Sequence, residues 1–115
     1  MVQKEAGSLS ARETAKIYAT AERNIPKYES ESYRLSCWFM QVWDSKKVKV
    51  LDAKGTSLNS VVLLPGIYSV RADCMQGTWS AYPEATFRVM AGHTYIIYGL
   101  NDRGRVSLHL QHIDQ

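Results

Sequence analysis

Short runs in which apolar and polar side chains alternate recur along most of this chain. The clearest is the run 68–74, whose even-numbered positions are apolar and whose odd-numbered positions are polar. Successive side chains of a strand point to opposite faces, so this run predicts a strand with one buried face and one solvated face. Similar runs follow at 85–90, 94–100 and 106–110, and residues 101–104 are typical of a hairpin turn between the last two.

Two interpretations compete near the start of the chain. Residues 15–20 alternate between small or apolar side chains and larger polar ones, which predicts a half-buried strand. A helix over residues 11–23 is the alternative, because Ala, Glu and Lys favour helices. Ser10 and Glu13 have the spacing of a capping box, so a single helical turn is predicted there. Residues 1–9 lack periodicity and are expected to form a flexible leader.

The run 33–43 is dense in aromatic and β-favouring side chains but does not alternate cleanly. It predicts either a central strand covered on both faces or a strand with a bulge that shifts its register. A polar loop is predicted before it at 27–32, and a turn is predicted after it at Asp44-Ser45. A short exposed strand is then expected around residues 48–50.

The β pattern resumes at 58–64 and runs into Pro65-Gly66. Pro presets φ at the first corner of a turn and Gly supplies a positive φ at the second, which predicts a type II turn. Residues 76–83 are expected to form a loop. Turns recur every 8–12 residues or so with no long helix between them, which is typical of an antiparallel β-sandwich. We therefore predict an all-β domain over residues 10–115, with about seven to eight strands and transthyretin-like or immunoglobulin-like character.

Composition adds limits on domain number and partners. The chain has 115 residues, 45% of them hydrophobic and 22% charged, as expected for one globular domain. Its net charge of +3 comes from scattered basic residues, and the densest group, Lys46-Lys47-Val48-Lys49, is expected at a solvated strand end. Nucleic acid is therefore not an expected partner. No run approaches the roughly 18 apolar residues of a membrane span.

Two segments carry a family resemblance. Residues 61–70, with the string Leu-Leu-Pro-Gly, and residues 87–96, with Ala-Gly-His-Thr-Tyr, resemble small bacterial envelope proteins, many of them predicted lipoproteins of uncharacterised function. Leu9-Ser10 also matches that pattern, whereas Asp44-Ser45 has Ser where the family has Gly. The L-P-G-x-Y element is similar to that of transthyretin-like and PEGA-like sandwiches. The resemblance implies a periplasmic or outer-membrane-attached protein with no catalytic residue to carry over, and a cytoplasmic location stays open.

Cys37 and Cys74 are the two cysteines, and both lie in apolar strand contexts. In an exported protein they are candidates for a disulfide, which the chain-entropy model values at roughly 3–4 kcal/mol. The alternative is a pair of buried thiols that pack as small hydrophobic groups. A membrane contact is expected only through a lipid anchor upstream of the given sequence.

No motif indicates catalysis, a cofactor or a metal. The cysteines lack a C-x-x-C spacing, and no nucleophile elbow, H-E-x-x-H or phosphate loop is present. His109 and His112 would face opposite sides of a strand, and His93 lies in a turn where its side chain is expected to bond backbone groups. We therefore expect structural roles for all three histidines.

The aromatic side chains are the remaining candidates for binding. Trp79 and Tyr82 fall in the predicted loop at 76–83, where exposed rings stack on sugars or anchor a protein partner. Packing against the core is the competing role. The sequence thus predicts a non-enzymatic envelope protein that binds another envelope protein or has a structural role. The alternative is a module for small ligands or glycans that uses these loop aromatics.

Overall fold

The computed structural model describes residues 1–3, 6–21, 34–56 and 58–113. Within these ranges the chain forms strands and connecting turns, with no α-helix. The nine strands are β1 (Ala15–Ala19), β2 (Arg34–Asp44), β3 (Lys49–Asp52), β4 (Ser60–Leu63), β5 (Gly66–Gln76), β6 (Trp79–Ala81), β7 (Glu84–Val89), β8 (Thr94–Asp102) and β9 (Arg105–His112). The prediction of an all-β protein is confirmed.

The strands form one curled, mixed sheet with a half-barrel shape. Its main path runs β4-β1-β8-β2-β5-β6, while β3 pairs with β2, β7 with β5 and β9 with β8. The pair β1/β8 is parallel, and the other strand pairs in the described residues are antiparallel. An antiparallel sandwich of seven to eight strands is therefore not confirmed in that form. The parallel pair joins β1 to a strand that is distant in sequence, as parallel pairing requires a long connection.

A strand and a helix were the two predictions for the start of the chain, and the structure contains the strand. Ala15, Ile17 and Ala19 are fully buried, as the period of two predicts, and the helix alternative is wrong over these residues. The Glu13 carboxylate accepts hydrogen bonds from the amide and the hydroxyl of Ser10, so the capping-box pair closes a turn just before β1. The loop predicted at 27–32 lies outside the described residues.

The described part of the predicted leader packs against β4. The backbone amide of Gln3 donates to the Val62 carbonyl at 2.8 Å, and the side chains of Gln3 and Ala6 are buried. Residues 1–3 and 6–9 thus cover one end of the core, while the flexibility of the segment stays a prediction.

The β8–β9 hairpin matches its prediction closely. Asp102 pairs with Arg105, and Arg103 and Gly104 between them both have positive φ. This is the two-residue turn whose twist suits adjacent antiparallel strands.

The predicted type II turn at Pro65-Gly66 is wrong. Gly66 has φ of +153°, whereas a type II turn requires about +80°. Instead, β4 pairs with β1 and β5 pairs with β2, so Pro65 and Gly66 connect two parts of the sheet rather than two paired strands. The Tyr68 hydroxyl donates to the Leu64 carbonyl at 2.8 Å and so spans the connection.

The core lies on the concave side of the curled sheet. It combines side chains from all but the short β6, with Phe39, Ile17, Leu63 and Ile97 among the largest that are fully buried. The alternation predicted for 68–74 is confirmed, because Tyr68, Val70, Ala72 and Cys74 are buried. The odd-numbered residues of β5 face outward, where the candidate site lies.

Candidate binding site

A β-bulge in β2 determines which side chains reach the outer face of the sheet. Phe39 pairs with Ala72 while Gln41 pairs with Arg71, so Met40 is the extra residue. This confirms the bulge that the missing alternation of 33–43 suggested, and the alternative of a strand covered on both faces is not needed. The extra residue reverses the order of inward and outward positions beyond it.

The reversal brings two tryptophans to the same face. Trp38 lies opposite Asp73 before the bulge, and Trp43 lies opposite Ser69 after it. Both rings are partly exposed, whereas Val42 is fully buried. The two tryptophans are five positions apart, so a regular strand would have placed them on opposite faces.

A cleft of about 370 Å³ opens beside the bulge, a size near the lower end of small-ligand sites. Its walls come from β2, from the end of β5 and from the turn that follows β3. The Ala53 amide donates to the Met40 carbonyl at 2.8 Å, which ties that turn to the bulge. The side chains that line the cleft include Trp38, Met40, Asp52, Lys54, Asp73 and Met75.

One of the two carboxylates in the cleft is well satisfied. Asp52 accepts from the Lys54 amide at 2.9 Å and from the Lys49 ammonium at 3.2 Å. The backbone hydrogen bond from Lys54, followed by the bond to Lys49, lowers the pKa of Asp52 below its ordinary value. Its role is to hold the turn after β3 in place.

The other carboxylate, that of Asp73, is not satisfied. Its Oδ1 atom is buried and has no hydrogen-bond partner in the part of the chain that the structure describes. Trp38 lies directly opposite Asp73 in the register, at the distance where cross-strand side chains touch. The cleft therefore places an aromatic ring beside a partly exposed carboxylate, one oxygen of which is buried without a donor in the described residues.

A disulfide braces the sheet behind the cleft. Cys37 and Cys74 are directly opposite each other in β2 and β5, with a Cα–Cα distance of 4.1 Å, and they form the disulfide that the sequence offered as one of two alternatives. Each is adjacent in sequence to a cleft residue, Trp38 and Asp73 respectively. Both cysteines are fully buried and cover Gly99 of β8. The bond thus fixes the spacing of the two strands that carry the cleft.

Trp79 and Tyr82 lie away from this cleft. Residues 76–83 are not a continuous loop, since Trp79 pairs with Gln76 in the short strand β6. Trp79 is 41% exposed and Tyr82, just beyond β6, is 54% exposed. No ring contact joins them among the described residues, so the two form no single aromatic platform there.

The histidines form two separate groups. His93 Nδ1 and His112 Nε2 are 2.9 Å apart, and both rings lie beside Tyr95. The bond expected from His93 to nearby backbone is replaced by this contact with β9. His109 instead bonds Ser107 and stacks on Tyr98. No group of three or more His, Cys, Asp or Glu side chains in the described ranges is arranged to hold a metal ion.

The sequence does not predict the cleft. Its pattern places Asp73 only on the polar face of β5, and Trp38 lies within the aromatic-rich run 33–43. The available signal was the broken alternation of 33–43, which indicates a bulge. Bulges often re-aim side chains next to functional sites.

Comparison with protein-family models, curated proteins and solved structures finds no significant match to this chain. The described residues also include no helix with the length and hydrophobicity that a membrane crossing requires.

Proposed function

We propose that the protein is a non-enzymatic binding module of the bacterial cell envelope that engages another envelope protein. The observation that carries the proposal is the cleft on the outer face of β2 and β5, where Trp38 lies beside an unsatisfied carboxylate. Partly exposed aromatic side chains next to a pocket are typical anchors of protein interfaces. Trp43 extends the same face and adds a second anchor.

The cellular location is part of the same proposal. Disulfides persist in oxidising compartments, and the Cys37–Cys74 bond supports an exported protein. The Leu-Leu-Pro-Gly and Ala-Gly-His-Thr-Tyr strings support the periplasm or the outer membrane, with attachment through a lipid anchor upstream of the given sequence.

Kinship with transthyretin-like or immunoglobulin-like sandwiches also belongs to this proposal. Its support is the hydrogen bond from Tyr68 to a carbonyl four residues upstream, across the link from β4 to β5. A tyrosine whose hydroxyl bonds backbone a few residues upstream, at the corner between two strands, is a hallmark of immunoglobulin-like sandwiches.

The test is retention of a partner from solubilised envelope membranes and periplasm. Immobilised wild-type protein should retain a specific protein, and Trp43→Ala should lose it because an outer-face anchor is gone. Arg105→Gln, an exposed change in β9, is the matched control and should retain it. The proposal would be overturned if wild-type protein retained no specific protein, or if Trp43→Ala retained the same protein as well as wild-type does.

The location has its own test. Protein isolated from its native cells and treated with a thiol-blocking reagent under denaturing, non-reducing conditions should carry no blocking group on Cys37 or Cys74, because both sulfurs are bonded. Complete blocking of both cysteines would contradict export.

A second candidate function is glycan binding by Trp79 and Tyr82, whose rings are largely open to solvent. Titration with peptidoglycan fragments should then perturb the fluorescence of wild-type protein but not of Trp79→Phe. An unchanged signal in wild-type protein would exclude this function.

A further inference from the structure

One oxygen of the Asp73 carboxylate lacks a hydrogen-bond donor among the described residues of the free protein. Its Oδ1 atom is buried and has no donor in the described ranges, and an unsatisfied buried acceptor destabilises the fold that holds it. Neither Lys54, which lines the cleft, nor Arg71, two residues away on β5, makes an ion pair with it in the described chain. The rest of the Asp73 side chain is partly exposed and lines the cleft, so a cation bound there would compensate the charge of the carboxylate.

We infer that the cleft receives a basic side chain of the partner protein, an arginine or lysine whose cationic end meets Asp73. The inference rests on the proposed function, since it names the anchor through which the partner would dock. It follows from the arrangement of Trp38, Asp73 and two methionines around one cleft.

Each part of a basic side chain has a complement in the cleft. The cationic group pairs with the Asp73 carboxylate in a charge-assisted hydrogen bond. Trp38, directly opposite Asp73, offers the ring that best attracts a cation. Met40 and Met75 supply apolar, adaptable surface for the alkyl stem.

Local charge favours a cation over a neutral sugar. Asp52 is already compensated by Lys49 at 3.2 Å, whereas the charge of Asp73 has no counterpart in the described chain. A sugar hydroxyl would satisfy the hydrogen bond but leave this charge uncompensated. A cation satisfies both requirements, because it donates and neutralises.

The charge of Lys54 allows a variant that should strengthen binding as well as one that should weaken it. Its exposed side chain adds a positive charge at the rim of the cleft, which weakens the attraction of any cation. Removing that charge with Lys54→Gln should strengthen binding of a basic side chain, while Asp73→Asn should weaken it. A loss of fold could not produce opposite changes in the two variants.

The test compares N-acetyl-arginine methylamide with its neutral isostere, N-acetyl-citrulline methylamide. The chain has three tryptophans, so a nitrogen-15 spectrum shows three indole signals, and Trp38→Phe identifies the one from Trp38. The arginine compound should shift the Trp38 signal with a millimolar dissociation constant. The citrulline compound should bind about tenfold more weakly or worse, because it lacks the charge-assisted bond.

The variants complete the test. Asp73→Asn should abolish the difference between the two compounds, and the exposed change Asp102→Asn should preserve it. Equal binding of both compounds to wild-type protein, no shift at Trp38, or an unchanged difference in Asp73→Asn would each overturn the inference. A Trp38 shift with methyl glucoside but not with the arginine compound would overturn it in favour of a sugar site.

Retention from envelope extracts separates this inference from the proposed function. A partner that is held by wild-type protein and lost by Asp73→Asn supports both. A partner held equally by the two overturns the basic anchor and leaves the proposed function in place. Failure of wild-type protein to retain any partner overturns the proposed function itself.

Discussion

Asp52 and Asp73 lie in the same cleft but use their carboxylates differently. Asp52 bonds to a backbone amide and to Lys49 and so holds a turn, whereas Asp73 keeps a buried oxygen without a donor in the described chain. The first arrangement stabilises the free protein, and the second costs free energy, which the proposed basic side chain of a partner would offset. Binding residues often carry such a stability cost.

The first residue-scale prediction concerns that cost. Asp73→Asn keeps the shape of the side chain but removes its charge, so the free energy of unfolding of the free protein should rise by roughly 1 kcal/mol. Chemical denaturation of wild-type and variant proteins measures the difference. Asp102→Asn, in the exposed end of β8, is the control and should change stability little. A clear loss of stability in Asp73→Asn would show that its carboxylate is satisfied in solution.

The second concerns pH. The pKa of Asp52 is lowered in the folded protein. Its charged form therefore stabilises the folded state at every pH above the ordinary pKa of an aspartate. That contribution is lost as the pH falls through the lowered pKa. Asp52→Asn should therefore melt at a lower temperature than wild-type protein at neutral pH, and the gap should close at strongly acidic pH. A gap that stays constant with pH would refute this role.

Among the elements, β2 and β5 are joined both by backbone hydrogen bonds and by the Cys37–Cys74 disulfide. Gly99 of β8 leaves room for the two sulfur atoms. A Cβ added at Gly99 would lie 3.1 Å from the Cys74 sulfur and 3.2 Å from the Cys37 sulfur, tighter than ordinary contact. Gly99 has no positive φ, so it is the lack of a side chain that matters there. The disulfide and this glycine are therefore one packing unit.

Gly99→Ala tests that unit. The added methyl group should lower the free energy of unfolding by about 1–3 kcal/mol, the usual cost of overpacking. The cost should be smaller in a Cys37→Ala/Cys74→Ala background, because the crowding sulfurs are gone. A double-mutant cycle by denaturation measures this coupling, and additive effects would contradict it.

The link from β4 to β5 depends on Tyr68. Its hydroxyl is 2.8 Å from the Leu64 carbonyl and 3.1 Å from Gln3 Oε1, and the ring is buried. Tyr68→Phe should lower the free energy of unfolding by about 1–2 kcal/mol, since buried polar groups lose their partner. Tyr82→Phe, at an exposed ring, is the control for thermal melting. Equal melting temperatures for the two variants would deny Tyr68 this role.

On the scale of the whole molecule, the disulfide is the one covalent bond between distant parts of the described chain. It joins residues 37 positions apart and closes a loop that includes β3, β4 and most of β5. The chain-entropy model gives such a crosslink about 4 kcal/mol. This is a large share of the 5–15 kcal/mol that typically keeps a domain folded.

The corresponding prediction is a large loss of stability without the bond. Cys37→Ala/Cys74→Ala should lower the free energy of unfolding by about 4 kcal/mol, and wild-type protein unfolded in the presence of reductant should show a similar loss. Denaturation with and without reductant measures both. The double variant should be insensitive to reductant, which is its internal control. A stability unaffected by either change would refute the structural importance of the bond.

Local pattern was enough to predict much of this fold. The alternation in 15–20 and in 68–74 and the turn residues of 101–104 predicted strands and a hairpin that the structure contains. These features depend on each strand having one buried face, and that requirement is visible in the order of residues. The two cysteines were also correctly placed in strands that could bring them together.

Strand partners and the site depend on tertiary packing. The sequence offers the bulge in 33–43 as one of two alternatives, but it does not reveal that β1 lies parallel to β8, that Pro65 and Gly66 link two strands that do not pair with each other, or that Trp38 lies opposite Asp73. Partners in a sheet are selected by packing between residues far apart in the chain, which local periodicity does not record. Whether Asp73 finds a donor depends on the same packing. The order of residues thus predicts most of the strands and the faces they bury, whereas β6, the strand partners and the cleft follow from tertiary packing.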